Sequence, residues 1–114
     1  MTDHDASDPF LRDSPTQQLS RIAAGFARIV SCLTQPASPD EVTAVLAETQ
    51  TLCERAADVP HEAEVRNLLP NLKTAVMTWR QVWPRLGEQR EFRQAVLREA
   101  GLWARRLDAM ARRS

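Results

Sequence analysis

The apolar positions of this chain recur at helical spacing along nearly its whole length. Leu19, Ile22, Ala23, Phe26, Ile29, Val30 and Leu33 form one set; Val42, Val45, Leu46, Leu52, Cys53 and Ala56 form a second. The third is Val65, Leu68, Leu69, Leu72, Ala75, Val76, Trp79, Val82 and Trp83, and the fourth is Phe92, Val96, Ala100, Trp103, Leu107 and Met110. Each set falls on one stripe of an α-helix, and such a stripe must be buried against another element. The pattern predicts an all-α protein of four amphipathic helices.

Local signals place the boundaries. Ser14-Pro15-Thr16-Gln17 offers an N-cap serine, a proline at the first helical position and a glutamine three residues after the cap. Ser38-Pro39-Asp40-Glu41 repeats this grammar with a full capping box, its acids favourable to the helix dipole. These starts predict helices over 15–34 and 39–57. Asp58-Val59-Pro60 closes the second and opens the third, where Glu62 stands four residues before Arg66, a favourable ion-pair spacing. Pro70 interrupts the third set, yet the apolar phase carries across it from Leu69 to Leu72 to Val76. The spacing therefore predicts one helix over 61–83, kinked at Pro70, with a split into 61–68 and a new helix from Pro70 as the alternative. Trp83-Pro84 predicts its end, because a residue before proline avoids the α region. The fourth helix runs from 85 or 88 to 112, with Asp108 placed to pair with Arg112. Short connections between helices of matched length predict an antiparallel up-down four-helix bundle over 14–114, preceded by an acidic, flexible arm over 1–13.

Charge adds an asymmetry. The formal net charge is +0, yet residues 1–72 hold five Arg against eleven Asp or Glu, while residues 73–114 hold ten Lys or Arg against four acids. The halves are expected to attract each other, within the bundle or across a dimer; a basic surface for an acidic partner is the sharper alternative. No apolar run is long enough to cross a bilayer, and the acidic start is unlike a signal peptide, so a cytoplasmic location is expected. In an antiparallel hairpin Cys32 and Cys53 would lie ~20 Å apart at about 1.5 Å per residue. A disulfide needs Cα atoms within roughly 7 Å, so both thiols are expected to be reduced.

The chemistry-bearing residues are sparse. There is no Glu-x-x-His, CxxC or HExxH, and the two histidines are His4 in the arm and His61 at a helix start, expected to be solvated. Ser14 and Ser38 are explained as caps, Cys53 as a small hydrophobe in a stripe, and Glu41 and Glu48 as a solvated face. Gly25, within Ala23–Ala27, fits close helix packing. No catalytic group, metal or cofactor is expected, which leaves a non-enzymatic interaction module: an adaptor, chaperone or small regulatory subunit.

The fourth helix carries more apolar surface than one seam requires. Leu97 and Leu102 lie off the seam near Gly101, and Arg98, Arg105 and Arg106 would rim such a patch. A homodimer through this face is the expected assembly. Trp83, beside Pro84, is a second candidate anchor, because Trp is enriched at interfaces. Two alternatives remain: nucleic-acid contact along Arg98, Arg105 and Arg112, which recur every seven residues, and a small-ligand pocket between helices near Pro70. In the arm, Asp8-Pro9-Phe10 looks like short docking motifs, with packing of Phe10 and Leu11 on the end of the bundle as the plain alternative.

Overall fold

The computed structural model describes residues 14–35 and 38–113 and contains four α-helices: α1 (Pro15–Thr34), α2 (Pro39–Ala56), α3 (Ala63–Leu86) and α4 (Arg90–Arg113). The expected arm over 1–13 lies outside the described residues. Both capping boxes form. The Ser14 hydroxyl accepts from the Gln17 amide at 3.2 Å while the Gln17 side chain accepts from the Ser14 amide at 2.8 Å. Ser38 and Glu41 repeat this exchange at 3.1 and 3.4 Å. Four backbone donors at the two helix starts are thereby satisfied by local chemistry alone.

The helices form an antiparallel bundle in which α1 is flanked by α2 and α4, and α3 packs on α2. Residue pairs across the seams give the direction. Arg28 of α1 pairs with Glu48 of α2, and Lys73 of α3 with Glu54 of α2. Arg113 at the end of α4 reaches Glu64 at the start of α3 at 3.4 Å. The acid-rich and basic halves thus meet inside one chain, through exposed pairs that each contribute little. The core is the predicted set of stripes: Ile22, Phe26, Leu46, Leu72, Val76 and Leu107 are fully enclosed. Burying a side chain of this size stabilises by about 1.5–3 kcal/mol. Across the middle, Phe26 of α1 meets Trp79 of α3 edge to face, centroids 6.3 Å apart.

Two seams are built by opposite means. Where α1 crosses α2, Gly25 faces Thr49, and a Cβ at Gly25 would lie 2.9 Å from the Thr49 hydroxyl. That hydroxyl donates to the Val45 carbonyl at 2.8 Å, so its position is held. Between α3 and α4 the backbones stay further apart and rings fill the space, with Trp83 and Phe92 at 5.5 Å. The Trp83 indole folds onto Gly87, where a Cβ would come within 2.7 Å of Nε1. Arg93 closes this corner, its guanidinium donating to the Gly87 carbonyl at 2.9 Å and covering the Trp83 ring at 5.8 Å.

α3 is one helix through Pro70, as the unbroken apolar phase predicts. Its predicted end at Trp83 is corrected: the helix passes through Pro84 to Leu86. Both prolines are exposed, and so are Arg66 and Arg80, whose carbonyls each lose a donor four residues on. On this exposed side of α3 water can take the place of the lost donors, so a proline there need not end the helix. At the other end α3 starts at Ala63, with Glu62 as N-cap through its backbone and no Glu62–Arg66 ion pair among the described residues.

Candidate functional site

The predicted patch on α4 divides when it is placed on the folded helix. Leu97 and Leu102 are five residues apart, about 140° around a helix of 3.6 residues per turn. Leu97 is half-buried on the α1 side, where it lines a groove of about 460 Å³ with Leu33, Thr34, Arg90 and Arg93. Gly101 is on the same flank, and a Cβ there would sit 3.9 Å from Val30, an ordinary contact. Leu102 points away from the core and is 54% exposed, an outlier among large hydrophobic residues. Trp83 is buried against Phe92 and Gly87, so it is a core residue and not an exposed anchor.

Around Leu102 the face is basic. Arg98, Arg105 and Arg106 are all exposed. Among the described residues no ion pair engages Arg98 or Arg105. Arg106 lies over the Trp103 ring at 5.5 Å, which holds one guanidinium beside Leu102. The Trp103 Nε1 donor is buried and meets no acceptor among the described residues. Arg112, the third member of the heptad stripe, is bound to Asp108, as predicted. The face is therefore an exposed leucine flanked by three arginines, Arg98, Arg105 and Arg106, and one acid, Glu99.

A second concavity lies at the end of the bundle where α1 and α3 begin and α4 ends. It encloses about 660 Å³. Leu19, Val65 and Met110 give its apolar floor, while His61, Glu62, Glu64 and Arg113 stand at its polar margin. His61 is half-buried and not a solvated helix-start residue: its Nε2–H donates to the Ala56 carbonyl at 2.8 Å and caps the last turn of α2. A pocket is expected near Pro70; Pro70 is exposed and does not line this concavity. Antiparallel topology carried the missing signal: the starts of the first and third helices and the end of the fourth share one end, which gathers Leu19, Val65 and Met110.

The remaining candidates have structural surroundings. Cys53 is buried in α2; burial first, and then the neighbouring Glu54 charge, push its thiol from 9.0 up to about 12. It stays protonated near neutrality, while Cys32 is partly exposed, and both are free. A thiol reagent is expected to modify Cys32 in the native protein and Cys53 only on unfolding. Among the described residues no group of three or more His, Cys, Asp or Glu is placed to hold a metal ion, and no helix is long and apolar enough to cross a membrane. Compared with known proteins, the chain matches no family model, no curated protein and no solved structure.

Proposed function

We propose that this chain is a non-enzymatic helical interaction module that offers the outer face of α4 to a protein partner, the first such partner being a second copy of itself. The observation that carries this reading is Leu102, 54% exposed beside Arg98, Arg105 and Arg106. An apolar centre with a charged rim is the anatomy of a protein contact. Complementary charge is sought in the exposed acids of the second chain. Because the rim is exposed, salt screens it over ~8–10 Å, while the apolar centre is insensitive to salt.

Sedimentation equilibrium tests this directly. A dimer at micromolar concentration is expected, weakened by salt. Arg98→Glu with Arg105→Glu is expected to raise the dissociation constant at least about tenfold, equivalent to ~1.4 kcal/mol. A monomer throughout, or a dimer indifferent to the charge reversal, rejects the proposal. The unpaired state of Arg98 and Arg105 also favours one second reading, phosphate contact along α4. Binding of a labelled oligonucleotide that falls steeply with salt and is lost in the same double variant would select it.

A further inference from the structure

The groove at the α1–α3–α4 end has an apolar floor and an entrance beside the first described residue. Its wall includes Pro15 and Thr16, so the chain preceding Ser14 enters at its margin. Within residues 1–13 the adjacent pair of large apolar side chains is Phe10–Leu11, four and three residues before Ser14. An extended chain covers ~3.3 Å per residue, so the pair reaches ~10–13 Å from Ser14, enough to lie across the floor. The flanking charges match the two sides of the groove. Asp13 adjoins the start of α1, whose first turn carries no acid and whose dipole favours an anion. Arg12 carries the charge opposite to that of Glu62 at the margin, where Glu64 already meets Arg113.

We propose that this groove is the docking site of the chain's own segment Pro9–Leu11, with Phe10 and Leu11 seated on Leu19, Val65 and Met110. The tether supplies the affinity: a short linker gives an effective concentration in the millimolar range, so two apolar side chains suffice. Neither Leu102 nor Arg98 nor Arg105 lines this groove, so the docking site is separate from the α4 contact.

Methyl-resolved NMR on the full chain provides the test. Contacts between the Phe10 ring protons and the Met110 ε-methyl are expected in the unaltered protein. In Phe10→Ala with Leu11→Ala, the methyl signals of Leu19, Val65 and Met110 are expected to shift, while those of Val42 and Val96 at the opposite end stay fixed and report an intact fold. A peptide of residues 5–13, added to the double variant at millimolar concentration to match the lost tether, moves these signals back toward the original positions. The wild-type shifts are expected to be the same at tenfold different protein concentrations. Groove methyls that ignore the double substitution overturn the proposal. So do shifts that fade on dilution, which would place a second copy's segment in the groove.

Discussion

Gly25 and Gly101 both lie inside helices that pack on a neighbour, but only one of them has to be glycine. At Gly25 a methyl group would press on Thr49, whose hydroxyl is fixed by its bond to Val45. At Gly101 a methyl group would meet Val30 at 3.9 Å, with room to spare. A glycine forced by its neighbour is thus found at Gly25 in the α1–α2 seam and not at Gly101, although α1 and α4 are the most closely packed pair of helices. Packing explains Gly25 and leaves Gly101 unexplained. It also leaves Leu102 unexplained, one residue on and turned outward. Surface that the fold does not account for is where a partner's contribution is sought, and that difference supports the proposed contact on α4.

The largest expected effect guards against a trivial explanation, that α4 is simply docked loosely. Leu107 is fully enclosed on its inner face. Leu107→Ala is expected to destabilise by ~2–5 kcal/mol in chemical denaturation. A loss under about 0.5 kcal/mol, the range of neutral surface changes, would mean that α4 lacks a core face and that the contrast between the glycines says nothing.

Gly25→Ala is expected to cost ~1–2 kcal/mol, because overpacking of about 1–3 kcal/mol exceeds the gain of up to ~1 kcal/mol in helix propensity. Combining it with Thr49→Ala should relieve much of this, seen as a coupling energy in a double-mutant cycle. Gly101→Ala should do the reverse and stabilise by ~0.5–1 kcal/mol, the ordinary gain of replacing a helical glycine where space allows. If it destabilises instead, α1 and α4 press together at Gly101 and the two glycines are alike.

Much of the architecture was legible because it is local. Ser14 and Ser38 announce their helices through neighbours three residues away, and the four stripes name the core almost residue for residue. The passage of α3 through Pro84 was not legible, since it depends on whether the Arg80 carbonyl reaches water, a property of the packed bundle. Trp83 was ambiguous for the same reason: only the α3–α4 turn brings Gly87 and Phe92 onto its ring. The separation of Leu97 from Leu102 follows from helical geometry alone. Their different surroundings do not, because Leu33 and Thr34 come from a helix more than sixty residues earlier in the chain.

The smallest expected effect on stability carries the greatest consequence for assembly. Leu102→Glu removes an exposed leucine from a helix surface and should change folding stability by no more than about 0.5 kcal/mol. It also replaces the apolar centre of the proposed contact with a carboxylate, whose desolvation on association is costly even beside Arg98 and Arg106. Light scattering at micromolar concentration on the wild type and on this variant is the most direct measurement. The expected result is a wild-type dimer and a Leu102→Glu monomer with an unchanged helical circular dichroism spectrum. A wild-type monomer, or a variant that remains dimeric and helical, contradicts an α4-centred contact.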